Sequence, residues 1–570
     1  MVTRIRRTLL AASAVVVAVA VSVQGASAAT TETKQYTESE AATAAGRNDS
    51  SSSAQRLYGF GTGYWKEPAA TVHGTLSPSL VEIAASTEDD GAIPLAAATG
   101  IGTDGRGAIT TTGQLGDGPH GTLGDRKGDF DFYKVTGAAG HTLTVSTDGS
   151  ATSTNTVVGV YDAAGQLLAS DDDNGVGAAS KLVFQLPAAG DYYVAVAGKS
   201  PAGTFPTDPS NSGSGVGGHD TGAYKVLIAA APVDKDFYAV QLAKGDVLSG
   251  SLTAGGKRVS VYRPNGTLAV SSAQNVTARV PASSPLSRGP VDFAYVAEQA
   301  GWYAVSVTDG FGSYDLTLRA SRSSTETAAT SQTIFLDFDG GETDLAPLGG
   351  SGVRQLTGLS AFLGNWGLTA ADESRVLSKA VAVVTENAKT DLKNKGLNPN
   401  VDVKIRNSRD DADNFGTANV SRVVVGGGSG IGPVGSAQSI DPGNFVHEET
   451  ALVQLDRVGA AGGVISFNTY LTADSNRIAF VGQALGNLVS REIGHLVGNY
   501  DTDPTSPVAS LMDADGNFPG LYGVGADGIG GTADDVDVDF GKDSYAPATG
   551  LTGTQDTLNV AAWGLSKPCN

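Results

Sequence analysis

Cysteine is almost absent. Cys569 is the one cysteine among 570 residues, so no disulfide can form within the chain. Stability must come from core size or from bound ions. Histidine is scarce too: His73, His120, His141, His219, His447 and His495 are all there are, and only the last two lie in the final third. Basic residues are outnumbered, 38 Lys+Arg against 59 Asp+Glu, for a net charge of −21. That balance argues against nucleic acid or an anionic membrane as partner, because both are held by a basic face. Beyond Val23 no apolar run is long enough to span a bilayer, so no membrane anchor is expected.

Glycine, in contrast, is plentiful at 76 residues, which favours strand-rich domains with many turns. The length allows about four domains. Residues 1–28 have the pattern of a secretory signal peptide: Arg4, Arg6 and Arg7, then the apolar run Leu9 to Val23, then the small residues Ala26-Ser27-Ala28. The expected location is therefore secreted and extracellular. Residues 29–85 are rich in Ser, Thr and Ala and weakly patterned, as in a pro-segment or disordered linker.

Residues 86–230 alternate apolar and polar side chains in short runs, such as Asp129-Phe-Asp-Phe-Tyr133-Lys-Val135, with turn signals such as Asp162-Ala-Ala-Gly165 between them. This is the rhythm of a β-sandwich. The order of Glu88-Asp-Asp90, Asp129-Phe-Asp131-Phe-Tyr133, Val160-Tyr-Asp-Ala-Ala-Gly165, Asp171-Asp-Asp173-Asn-Gly175 and Gly190-Asp-Tyr-Tyr-Val194 resembles the bacterial pre-peptidase C-terminal (PPC) domain. That resemblance implies an accessory sandwich of a secreted protease. A second copy is expected over 231–320, because Asp234-Lys-Asp236-Phe-Tyr238 and Gly301-Trp-Tyr303 echo the first. The second copy lacks the Asp171–Asn174 cluster.

Glu88, Asp90, Asp129, Asp131, Asp171 and Asp173 are calcium candidates, since hard carboxylate oxygens gathered in turns suit that ion. A solvated acidic surface is the simpler meaning of the same residues. Further acids follow in Asp513-Ala-Asp515 and Asp534-Asp-Val-Asp537-Val-Asp539. On an extended strand, Asp535, Asp537 and Asp539 would share one face.

After the Ser/Thr-rich linker 321–331 the pattern becomes mixed α and β. A strand is expected over Thr333 to Phe338, a long helix over Glu373 to Lys395, and a second long helix over Asn476 to Val497. The second helix carries Arg491-Glu-Ile-Gly-His495-Leu-Val-Gly498-Asn-Tyr-Asp501, followed by Met512. Leu485, Leu488, Val489, Ile493 and Leu496 form an apolar stripe that would equally suit an ordinary core helix capped by Gly498. Taken together, the segment resembles the metzincin metalloprotease signature, His-Glu-x-x-His-x-x-Gly-x-x-His/Asp with a downstream Met-turn. The resemblance puts Glu492 at the general base, His495 and Asp501 at two zinc ligands, Gly498 at the turn and Met512 at the Met-turn. Arg491 stands where the first histidine ligand belongs, and a guanidinium has no lone pair to give a metal. It would instead pair with Asp501 where zinc would have sat.

The expected architecture is multidomain: tandem β-sandwiches followed, over 332–570, by an α/β (α+β) metzincin-like domain. The expected function is that of a secreted metallopeptidase-family protein degenerate at its zinc site. The alternative is a non-catalytic extracellular protein that uses its sandwiches to hold protein or polysaccharide. Nothing in the sequence specifies an oligomeric state.

Overall fold

Alternation along Gly222–Ala231 sends Tyr224, Val226 and Ile228 inward and leaves Lys225 in solvent. The same rule builds a strand-rich, multidomain chain. A computed structural model describes residues 33–39 and 48–567, apart from 77, 79, 105, 119–128, 152, 200–204, 215–219, 233 and 329. The expected signal peptide 1–28 lies outside the described residues, as do Cys569, His120 and His219.

The first sandwich packs two five-stranded sheets face to face. One sheet orders Leu167–Asp171, Thr156–Asp162, Gly190–Gly198, Phe130–Gly137 and Ala97–Ala98. The other orders Lys181–Gln185, Thr142–Ser146, Gly222–Ala231, Ala108–Leu115 and Leu80–Glu82. Val135, Val145, Val160, Val194 and Val226 interdigitate between them.

The second sandwich begins earlier in the chain than its repeat pattern implies. Its first sheet orders Lys34–Thr37, Ala69–Leu76, Gly312–Ser321, Val247–Thr253 and Val291–Val296. Ala69–Leu76 runs antiparallel to Gly312–Ser321, from Leu76 opposite Gly312 to Ala69 opposite Arg319. Gln55–Arg56 adds to the opposite sheet beside Asp236–Leu242. Of the two expectations for 29–85, pro-segment or disordered linker, the disordered linker is corrected for these residues, which form strands. Without Ala69–Leu76, Gly312–Ser321 would present a bare row of backbone donors and acceptors. Val72 and Leu76 fill the core from this strand, an alternation that the surrounding threonines mask in the sequence. The first sandwich is thus inserted between two strands of the second.

The expected linker 321–331 is also docked. Arg322 pairs with Asp246 at 3.1 Å and Glu326 at 2.6 Å, and Thr325 donates to the Gly564 carbonyl.

In the C-terminal unit, Val403–Asn407, Gln332–Asp337, Val420–Gly426 and Thr450–Gln454 run parallel, and Gly435–Ala437 closes the sheet as an antiparallel edge. Helices Glu373–Thr385 and Arg477–Leu496 cover one face, sharing a core with Ile334, Val423, Ala451 and Val453. The helices approach closely because a Cβ on Gly486 would come within 2.6 Å of Val383 Cβ. Late in the chain, Leu551–Asp556 pairs with Leu268–Ser272, so the C-terminal unit extends a sheet of the second sandwich.

Leu76 tests the reassigned segment. Leu76→Ala is expected to cost about 2–5 kcal/mol, the range for truncating a fully buried leucine. Urea unfolding of the full chain measures it; a cost near zero would mean that residues 69–76 do not belong to the core.

Candidate functional site

The helix Arg477–Leu496 starts at Asn476, whose side chain accepts from the Ala479 amide. It ends at Gly498, which takes a φ of 109° and faces Pro442 too closely to carry a Cβ. This turn brings the Asn499 carbonyl within 2.8 Å of His495 Nδ1. A carbonyl only accepts, so Nδ1 carries the proton, and Nε2 faces Asp501 Oδ1 at 3.3 Å.

Arg491 lies at the centre of the cluster and is buried. Its Nη2 donates to Asp501 Oδ1 at 2.6 Å and its Nη1 to Glu492 Oε1 at 2.9 Å. Nε reaches the Asp513 carbonyl at 3.4 Å. Glu492 is buried against the edge strand, where a Cβ on Gly435 would collide with Oε1, and Oε2 has no hydrogen-bond partner. Met512 is buried beneath the helix, and a Cβ on Gly494 would lie 2.5 Å from its Sδ. Burial pushes the Asp501 pKa upward, but the charge of Arg491, and then His495, outweighs it and holds the carboxyl well below the usual range. Burial likewise opposes the Arg491 charge, and Asp501 and Glu492 overcome it, so the guanidinium stays cationic.

The structure therefore brings Arg491, Glu492, His495 and Asp501 together, with Met512 below. The other histidine of the final third, His447, is not among them. That ring bonds Ser324 Oγ at 2.8 Å, the Asn444 carbonyl at 3.0 Å and Asn419 Oδ1 at 2.8 Å, none of them in the cluster.

The second acidic group lies at one end of the first sandwich. Oxygens of Glu88, Asp90 and Asp131 lie within 4.8 Å of one another, as do those of Glu88, Asp117 and Asp129. Burial, then Asp129 and Asp117, raises the Glu88 pKa to about 7, and burial raises Asp90 to about 6. Burial, with Asp90 beside it, pushes Asp131 well up. Asp131 accepts from the Tyr224 hydroxyl on one oxygen and leaves the other, Oδ1, buried without a partner. Asp129 accepts from the Gly116 and Gly118 amides at 2.8 and 3.2 Å.

Two sequence candidates fall outside this group. Asp171 holds its own turn, accepting from the Lys181 amide at 2.7 Å and the Asn174 amide at 3.3 Å. Asp173 pairs with Lys199 at 3.0 Å. Asp117, which sequence reasoning missed, joins instead; its signal was the tight Gly116-Asp117-Gly118 turn. The expected common face of Asp535, Asp537 and Asp539 is also corrected. The segment is not a strand, Asp535 caps the Gly531 amide at 2.8 Å, and Asp537 and Asp539 group with Glu386.

Residues 129–198 match the family profile described as the bacterial pre-peptidase C-terminal domain. The first sandwich contains that domain. Solved structures similar to the chain include a periplasmic inhibitor of g-type lysozyme, PliG, from Aeromonas hydrophila, at 15% identity over 27% of this chain and 97% of that one, with a TM-score of 0.16. Another is the pre-peptidase C-terminal domain of a Bacillus anthracis collagenase, at 14% identity over 26% of this chain and 96% of that one, with a TM-score of 0.14. TM-scores this low assign no function to the whole chain. No curated protein matches.

Asp501 gives a pH test. Its carboxyl is held below the unfolded value of about 4, so its contribution is complete above that pH and is lost as pH falls through the folded value. Asp501→Asn is expected to cost about 3 kcal/mol at pH 7, because it strips a buried guanidinium of its main partner. The gap from wild type should narrow in urea unfolding below about pH 4. An equal gap at both pH values would count against the pair.

Proposed function

We propose that this chain is an exported, PPC-containing member of the metallopeptidase families in which an ion bridge has replaced the metal, leaving an extracellular binding protein. One observation carries the proposal: a single guanidinium, Arg491, bonds Asp501 at 2.6 Å and Glu492 at 2.9 Å. It occupies the first ligand position, neutralises the third ligand and ties up the general base of the metzincin-like pattern. The chain order of strand, long helix, strands and motif helix supports the reading, as does Met512 beneath Gly494. The remaining donors do not fit zinc, which takes three protein ligands in a catalytic site. His495 and Asp501 are two, and Asp501 is already charge-paired.

An active endopeptidase is the second reading. It needs a further ligand, and His447 is committed to Ser324, Asn444 and Asn419. The extracellular location rests on the Arg4–Ala28 pattern and the PPC domain. No helix among the described residues is long and apolar enough to cross a membrane.

Zinc analysis tests the proposal. The wild-type chain is expected to hold no stoichiometric zinc and to leave casein intact. Arg491→His should bind zinc more tightly than wild type, because it adds an imidazole one turn from His495 and removes a cation. Stoichiometric zinc in the wild type, lost in His495→Ala, would reverse the reading.

The acidic end of the first sandwich is proposed to hold calcium through Glu88, Asp90, Asp117, Asp129 and Asp131. The support is the unpartnered, buried Asp131 Oδ1 within a group of hard oxygen donors. Millimolar-range Ca²⁺ should raise the melting temperature relative to chelator by mass action on the folded state. Asp131→Asn should abolish the rise and Asp171→Asn should keep it; a rise that survives Asp131→Asn would place the ion elsewhere.

A further inference from the structure

The second sandwich exposes its aromatic residues at one corner. Tyr64 and Trp65 are 91% and 89% exposed, and Tyr58 is 63% exposed. Single exposed apolar residues are ordinary, but rings gathered in one place mark a contact surface. Three local features gather them. The Glu67 amide bonds back to the Gly59 carbonyl, so the loop 60–67 returns to where it left, beside Tyr58. Lys66 Nζ reaches the Gln241 carbonyl at 3.4 Å and Oε1 at 3.3 Å, and Gln241 is the cross-strand neighbour of Trp302. Tyr58 meets Trp302 edge-to-face at 5.8 Å, and Tyr64 meets Trp65 edge-to-face at 4.7 Å. The high exposure of Tyr64 and Trp65 leaves most of their ring surface open to solvent.

Cations are interleaved with these rings. The Arg56 guanidinium lies 5.0 Å from the Trp302 ring centre, and Lys34 Nζ lies 5.7 Å from that of Tyr36, whose hydroxyl donates to the Tyr58 carbonyl at 2.7 Å. Lys66 completes the set. None of the three makes a salt bridge among the described residues. The acid within the loop is Glu67, and the buried Asp246 that Thr62 bonds is already paired with Arg322, so three cations face one exposed carboxylate at this corner of a chain of net charge −21.

We infer that this corner, formed by Tyr58, Tyr64, Trp65, Lys66, Arg56 and Trp302, binds an acidic polysaccharide. The C–H bonds on the flat side of a pyranose ring are weakly positive and meet the negative face of an aromatic ring. Carboxylate or sulfate groups along the polymer meet Arg56 and Lys66. A neutral glycan would leave the cations unused, and an apolar protein surface would strand them. Stacked rings with cations also suit single-stranded nucleic acid; the reading of the chain as extracellular favours a glycan, and tighter binding of oligothymidine is the outcome that would favour nucleic acid. The inference rests on the reading of the chain as an extracellular binding protein and names its ligand class.

The test uses the full chain on immobilised polygalacturonate and dextran sulfate, with neutral dextran and oligothymidine as comparisons. Wild type should be retained by at least one acidic glycan and not by neutral dextran. Tyr64→Ala with Trp65→Ala should weaken retention about tenfold or more, with an unchanged melting temperature because these rings support no core. Lys66→Gln should weaken it less and lower its salt dependence. Three outcomes would each overturn the inference: no retention on either acidic glycan, equal retention by the double variant, or tighter binding of oligothymidine or neutral dextran. Failure of the degenerate-site reading is separate, since it shows as stoichiometric zinc whether or not glycan binds.

Discussion

A buried guanidinium needs a counter-charge, and the C-terminal unit is organised around supplying one. Removing a charge from water costs several kcal/mol, so Arg491 is tolerable only because Asp501 and Glu492 meet it with good geometry. Glu492 comes from the same helix. Asp501 must be carried back to that helix by the turn at Gly498, and the second sandwich helps to hold it there. Tyr500, its neighbour, packs into the core of that sandwich with Tyr545. Gln555 clamps the Tyr500 backbone from both sides at 3.2 and 3.1 Å, and the Ala546 amide donates to the Asp501 carbonyl at 2.9 Å. The charge centre thus depends on the sheet that Leu551–Asp556 shares with the second sandwich.

The two charge centres answer the same constraint in opposite ways. At Arg491 one cation satisfies two carboxylates inside the chain, and the Asp501 pKa falls. At the end of the first sandwich carboxylates face one another without a cation among the described side chains there, and the pKa values of Glu88, Asp90 and Asp131 rise. The first arrangement already holds its cation, and one carboxylate oxygen, Glu492 Oε2, stays buried without a hydrogen-bond partner. The second leaves a buried oxygen, Asp131 Oδ1, in need of a proton or a cation.

Local pattern made much of this readable in advance. Strand alternation located the first sandwich, and its profile match covers 129–198. Helical spacing located Arg477–Leu496, and i, i+4 geometry placed Arg491 and His495 on one face. Pattern failed where pairing is non-local. Ala69–Leu76 lies far in sequence from Gly312–Ser321, and its threonines resemble those of a linker. Asp171 and Asp173 looked like ion ligands by density alone, yet one caps its own turn and the other pairs with Lys199.

The sequence by itself determined the residue types at each position: an arginine and a histidine one helical turn apart, carboxylates at fixed spacing, and no disulfide to restrain them. Only the tertiary structure decided which of these meet. Asp117 joins Asp129 because the Gly116 and Gly118 amides of its turn bond the Asp129 carboxylate across the two sheets, and Tyr58 reaches Trp302 because an N-terminal segment adds to a distant sheet. Side-chain contacts across long separations follow from the register of the whole sheet, which no local window of sequence contains.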